Sequence, residues 1–184
     1  NGLSIYGGFD PDNNIDDLSD ERILPDPDAN VQGSVINGEN SGSVILNDNN
    51  GVGISAVLDG FTLTNGRGAS GGGIYNNNAS PTLRNLWIKG NSTDNDGGGI
   101  FNGNSSSPVM TDITISNNTA RYGAGMFNRS NSSPIMTSVV IKNNMPVEDG
   151  GGMYNDDASS PSMTNVIIIG NTAKNGAGMY NRTN

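Results

Sequence analysis

The sequence predicts an all-β solenoid: short parallel strands wound as a parallel β-helix, with about 26 residues per coil and three short strands in each coil. Three observations predict it. A repeat runs in register through the chain, its apolar positions fall into columns with the two-residue period of a strand, and the composition is too poor in hydrophobic residues for a thick core. Hydrophobic residues make up 33% of the 184, against a globular norm nearer ~45%.

The repeat is carried by two boxes. Gly71-Gly-Gly-Ile-Tyr-Asn76 returns as Gly97-Gly-Gly-Ile-Phe-Asn102, Gly123-Ala-Gly-Met-Phe-Asn128, Gly150-Gly-Gly-Met-Tyr-Asn155 and Gly176-Ala-Gly-Met-Tyr-Asn181, at steps of 26, 26, 27 and 26 residues. Between these boxes stand Ser80-Pro81, Ser107-Pro108, Ser133-Pro134 and Ser160-Pro161, each followed ten residues after the proline by Asn91, Asn118, Asn144 or Asn171. The regular coils therefore span 71–184, within a single β-helix domain or a fragment of a longer one over 1–184.

Within the second box the apolar residues align from unit to unit. Leu83, Met110, Met136 and Met163 form one column, Leu86, Ile113, Val139 and Val166 the next, and Ile88, Ile115, Ile141 and Ile168 the third. Constant columns point inward; the mixed positions between them face solvent. No helical period separates the strands, so no crossover helix can cover a βαβ sheet, and the chain must coil. One coil buries about four aliphatic side chains, roughly 6–12 kcal/mol. Ordering its backbone costs several times that at ~1–2 kcal/mol per residue. A coil is stable only when stacked.

Asparagine, 30 residues of the chain, repeats in two columns, Asn76/Asn102/Asn128/Asn155/Asn181 and Asn91/Asn118/Asn144/Asn171. Stacked amides hydrogen-bond to their own copies one rung away, an asparagine ladder, and asparagine also tolerates the left-handed backbone of corners. The Tyr75/Phe101/Phe127/Tyr154/Tyr180 column stacks likewise. Parity alone leaves open whether it or the adjoining Ile/Met column faces inward; the exchange of Tyr for Phe favours Ile/Met inside.

Earlier residues extend the pattern less regularly. Leu58, Phe61 and Leu63 fall on the three inward columns, and Leu3-Ser-Ile-Tyr6, Ser34-Val-Ile-Asn-Gly38 and Ser43-Val-Ile-Leu46 read as strands. Six to seven rungs result, a rod roughly 30 Å long at the ~4.8 Å rise per coil. The turn before each glycine box alternates in charge: Arg67, Asp94 with Asp96, Arg121, Glu148 with Asp149, Lys174. Asn118-Thr-Ala-Arg121 and its glycine box recur as Asn171-Thr-Ala-Lys174 and the next box but one, which reads as a duplicated two-coil unit.

Residues 10–30 break the repeat as an acidic excursion, with eight carboxylates against Arg22. Asp10, Asp12, Asn14, Asp16 and Glu21 have the oxygen-ligand spacing of a calcium loop, but Ile15 stands where its sharp turn wants glycine. A solvated acidic loop is the competing reading. Residues 16–24 could form a short helix ended by Pro25.

Composition excludes several chemistries. His and Cys are absent, which removes Ser-His and Cys-His catalysis, His- or Cys-ligated zinc and any disulfide framework from this segment. A net charge of -9 gives no footprint for nucleic acid or anionic lipid. The longest apolar run, 166–169, is far short of the ~18 residues of a membrane span.

With these motifs in place, the chain resembles the right-handed β-helix repeat proteins of bacterial cell surfaces. The matching elements are Ile5-Tyr-Gly-Gly-Phe9, Leu58-Asp-Gly-Phe-Thr-Leu63 and the Gly-Gly-Gly-Ile-Tyr-Asn and Ser-Ser-Pro boxes. It is more remotely similar to the polymorphic outer-membrane proteins of chlamydiae, whose Gly-Gly-Ala-Ile signature differs from the boxes here, and to the pectate-lyase-like superfamily. The resemblance implies a right-handed coil and an extracellular or bacterial cell-surface location.

The expected function is a non-catalytic structural or adhesin-like segment, a stalk or an interaction surface for a surface protein or glycan. The alternative is a carbohydrate-active enzyme or carbohydrate-binding module. Enzymes of that kind need clustered carboxylates with Lys or Arg on adjacent rungs; Asp156-Asp157 is the best isolated pair, with Arg129 and Arg182 one rung away. No catalytic residue and no cofactor beyond the calcium loop is assigned. Thr62, Thr64 and Thr114 do not continue as the flat array ice binding needs, and the sequons at Asn91 and Asn128 carry no assigned glycan. Because both ends stop inside the pattern, the expected neighbours are a continuation of the chain or copies stacked end to end.

Overall fold

The computed structural model describes residues 2–9 and 22–182. Every strand pairing between the named strands is parallel, and equivalent residues of successive coils stand in register. Met110 pairs with Leu83 on one side and Met136 on the other, and Met136 pairs in turn with Met163. The chain is a parallel β-helix. No helix occurs among the described residues.

Two large sheets form its walls. One stacks six strands from the glycine boxes and their forerunner: Ile45–Asp48, Ile74–Asn77, Ile100–Gly103, Met126–Asn128, Met153–Asn155 and Met179–Asn181. The other has nine strands and runs from Ser4–Tyr6 through Val57–Asp59, Thr82–Lys89, Val109–Ser116 and Ile135–Lys142 to Ser162–Thr164 and Ile167–Ile169, with Ser34–Asn37 and Phe61–Thr64 completing the first rungs. Two of the three expected strands thus run on as one eight-residue strand in the middle coils. The bend between them is a single left-handed residue, Asn85, Asp112 or Ser138, at which the pairing with the next rung skips one position and then resumes in register.

The inward columns fill the space between the walls. Leu63, Ile88, Ile115 and Ile141 are buried, as are Ile74, Ile100, Met126 and Met153 opposite them, so the Ile/Met column faces inward as expected. The aromatic column on the alternate side of the glycine-box strand does not lie open to solvent. Phe101, Phe127 and Tyr154 bury one another in a separate stack, flanked by Tyr75, Tyr122 and Tyr180.

Both asparagine ladders form. Asn76 Nδ2 donates to Asn102 Oδ1 at 2.9 Å, Asn102 to Asn128 and Asn128 to Asn155 each at 2.8 Å. In the second ladder Asn118 Nδ2 donates both to Asn144 Oδ1, at 3.0 Å, and to the Ile88 carbonyl, at 3.1 Å. Its Oδ1 accepts from the Asn91 backbone N–H at 2.9 Å. The expectation that these asparagines also supply left-handed corners is corrected. None of them has positive φ; beside the second column the left-handed residue stands one position earlier, at Gly90, Asn117, Asn143 and Gly170, and beside the first it stands two positions later, at Asn78, Asn104, Ser130 and Asp157. The physical reason is that a ladder amide must keep the same orientation on every rung, whereas the turn is made by its neighbour.

The glycine box separates into two requirements. Its first glycine is left-handed on every rung, with φ between 58° and 72°. At the third glycine of the first four boxes a Cβ would meet the next rung's backbone, as at Gly99, 2.5 Å from the Gly125 carbonyl oxygen. The middle position carries Ala124 and Ala177.

Where the excursion returns, Arg22 forms a clasp. Its Nε donates to the Gly7 carbonyl at 2.8 Å, its guanidinium pairs with Asp59 at 3.1 Å, and the rings of Tyr6 and Phe9 lie 5.7 and 5.4 Å away. Arg22 also bridges Phe9 in antiparallel fashion, so residues 22–24 are not the end of a helix; the rest of that expected helix lies outside the described residues. Beyond the clasp, Asp26 and Val31 close a tight turn, and Asp28 reaches across to Lys142 at 3.1 Å.

Candidate functional site

Two columns flank the aromatic stack on the outside of the glycine-box sheet. The residue before each box is Ser70, Asp96, Tyr122, Asp149 or Asn175; the residue after each box is Asn77, Gly103, Arg129, Asp156 or Arg182. From Asp96 onward these columns rise as two walls around a groove of about 330 Å³, with Phe127, Tyr154 and Tyr180 on its floor. Because the coil places one residue of each column on every rung, the groove runs along the rod axis.

The floor is a ring stack. Centroids are 5.0 Å apart from Tyr75 to Phe101, 5.9 Å from Phe101 to Phe127 and 4.9 Å from Phe127 to Tyr154, with interplanar angles of 5°, 7° and 16°. Rings stacked along the axis turn their electropositive edges to the groove, which suits carboxylates on its walls. Tyr122 leans edge-on against Tyr154 at 5.6 Å.

The walls carry opposed charges. Arg129 lies 4.0 Å from Asp96 and 5.2 Å from the centre of the Phe101 ring, a position open because Gly103 has no side chain. Arg182 lies 3.8 Å from Asp156, and beside the Tyr154 hydroxyl it favours that group's ionised form. The arginines are half exposed, while the Asp96 and Asp156 side chains are 20% and 13% exposed. Burial pushes the Asp96 carboxyl above the usual carboxylate range; Arg129 and Arg121 oppose that and Asp156 adds to it. Burial likewise raises the Tyr154 hydroxyl.

The structure separates the Asp156-Asp157 pair. Asp156 lines the groove, whereas Asp157 is a left-handed corner residue whose backbone N–H donates to the Asp156 carboxylate at 3.1 Å. Arg182 stands beside Asp156, as the one-rung spacing predicts, whereas Arg129 turns to Asp96 across the same groove. Asp96 and Tyr122 were not singled out as site residues from the sequence; their column changes residue type on every rung. The alternating turn charges meet at Arg67–Asp94, 3.4 Å, and Lys174–Glu148, 2.6 Å, while Arg121 packs over Tyr122 instead. The proposed calcium ligands Asp10, Asp12, Asn14, Asp16 and Glu21 lie outside the described residues. Among the described residues no cluster of three acidic side chains could hold a metal ion, and no helix is long and apolar enough to cross a membrane.

Fold and groove together define a parallel β-solenoid whose outer surface is assembled from one residue per coil. Residues 22–184 match the family described as right handed beta helix region, and the chain belongs to that family, which gives the coil its right hand. No curated protein and no solved structure matches it.

Proposed function

We propose that the chain is a non-catalytic, extracellular rod segment of a bacterial surface or secreted protein, serving as a stalk and offering the groove as its interaction surface. One observation carries this reading: the repeated polar side chains of the coils bond from rung to rung rather than converging on a reacting centre. Besides the asparagine ladders, Ser80, Ser107 and Ser133 each accept the backbone N–H of the equivalent serine on the next rung at 2.9 Å. Such side chains stiffen a rod and are unavailable for chemistry.

A carbohydrate-active enzyme is the second reading. Its support is the groove itself, where a carboxyl raised by burial, Asp96, senses a second carboxylate, Asp156. Incubation with neutral and acidic polysaccharides, with and without calcium, separates the two. The expected outcome is no release of reducing ends or unsaturated products. Turnover that is lost in Asp156→Ala and in Asp96→Asn, with folding intact, would establish the enzyme and end the stalk reading.

A further inference from the structure

The ladders restrain asparagine side chains, and the chain holds six Asn-Gly dipeptides, at Asn1, Asn37, Asn50, Asn65, Asn102 and Asn175. An asparagine followed by glycine is chemically exposed, because the glycine N–H has no side chain beside it to hinder attack on the asparagine's own side-chain carbonyl. The attack forms a bond from the glycine nitrogen to Cγ, breaks the Cγ–Nδ2 bond and releases ammonia. Water then opens the five-membered imide at either carbonyl, leaving aspartate or isoaspartate. No oxidant or other co-reactant is needed.

Attack requires the amide to rotate and the glycine nitrogen to be free, and five of the six sites are described. At Asn102 the side chain donates to Asn128 and accepts from Asn76 within the buried ladder. At Asn65 the side chain donates to Asn37, and the Gly66 N–H donates to Asn91 Oδ1 at 2.8 Å. Asn37 Oδ1 accepts from Asn65 and from the Glu39 N–H, and the Gly38 N–H donates to the Thr64 carbonyl at 2.9 Å. Asn175 is exposed, but its Nδ2 donates to Asp149 at 2.8 Å. Asn50 differs. Both it and Gly51 are exposed, its one side-chain hydrogen bond among the described residues is a long 3.4 Å bond from the Val52 N–H, and beyond the adjoining residues nothing lies within 4 Å of where a Gly51 Cβ would stand.

We infer that Asn50 is a site of spontaneous covalent modification in the folded protein, converting to aspartate and isoaspartate while the ladder asparagines are protected. The product sets a new carboxylate two residues from Asp48, whose Oδ1 accepts from Asn77 on the next rung at 2.7 Å.

The test is peptide mapping of the intact chain aged in mildly alkaline buffer, with isoaspartate counted by methyl transfer from S-adenosylmethionine. In the folded protein Asn50 is expected to convert at least about fivefold faster than Asn37, Asn65 or Asn102, the factor that one hydrogen bond's worth of extra barrier supplies. Asn175 should fall between. In the urea-unfolded chain the sites should converge, and Asn50→Gln should remove most of the folded-state signal. Conversion of Asn65 or Asn102 as fast as Asn50 in the folded protein overturns the inference. So does an Asn50 that reacts only after unfolding.

Discussion

The regular coils and the first coil solve the same problem with different chemistry. From Gly71 to Asn155 neutral amides recur on every rung and bond to their own copies, and those of the second column also accept the Asn91 and Asn118 N–H groups and donate to the Ile88 and Ile115 carbonyls. Around Arg22 the excursion has interrupted the repeat, and a single guanidinium meets two carbonyls and a carboxylate, with the Arg22 and Asp59 side chains only 16% and 8% exposed. Repetition spreads satisfaction over many cheap, uncharged contacts. A break in the repeat concentrates it in one charged residue, whose desolvation must be offset locally.

The largest expected effect therefore falls on the clasp. Arg22→Ala leaves the Asp59 carboxylate buried with Asn85 Nδ2, at 2.8 Å, in place of its ion-pair partner. Breaking such a pair from one side costs about 3–5 kcal/mol. The loss should be local: hydrogen exchange should quicken in the strands Ser4–Tyr6 and Ser34–Asn37 and hardly change in Ile135–Lys142. Uniform loss of protection along the rod would erase the contrast between the two regions.

A ladder position should behave oppositely. Asn118→Ala removes the acceptor of the buried Asn91 N–H and the donors to Ile88 and Asn144, for about 2–3 kcal/mol. Because the ladder is continuous, exchange protection should fall on the rungs both above and below the substitution. A change confined to one rung would show that the amides act singly.

These differences trace what could be read in the sequence. Inward columns were legible because Ile88, Ile115, Ile141 and Ile168 repeat one residue type at one spacing. The asparagine ladders were legible for the same reason. The serine ladders were not, since Ser107 and Ser133 looked like companions of the following prolines rather than acceptors for the next rung. The left-handed corners are not legible, because column position fixes spacing but not backbone angle, and Asn117 and Gly90 share a role without sharing an identity. The groove is not legible because its wall columns change from one rung to the next, Asp96 recurring only at Asp149 and Arg129 only at Arg182, two rungs on; only the three-dimensional stacking brings them to one side. Arg22 had a weaker signal, a lone cation at the point where an acidic excursion rejoins the coil.

The smallest effect tests whether an irregular wall on a regular rod carries strain. Asp96 is raised above its ordinary value of 3.8, chiefly by burial, so the folded state favours its protonated form. Stability from that source is fully present below the unfolded value and is lost as pH rises through the raised folded value. Asp96→Asn keeps the neutral shape at every pH. It should raise Tm slightly at neutral pH, and the gain should vanish in acid below the ordinary aspartate range. Asp94→Asn, on a side chain 87% exposed in a surface ion pair, should shift Tm little at either pH. If Asp96→Asn instead lowers Tm at neutral pH, the attraction of Arg129 outweighs burial, and the groove wall is then held together by its charges just as the first coil is held by Arg22.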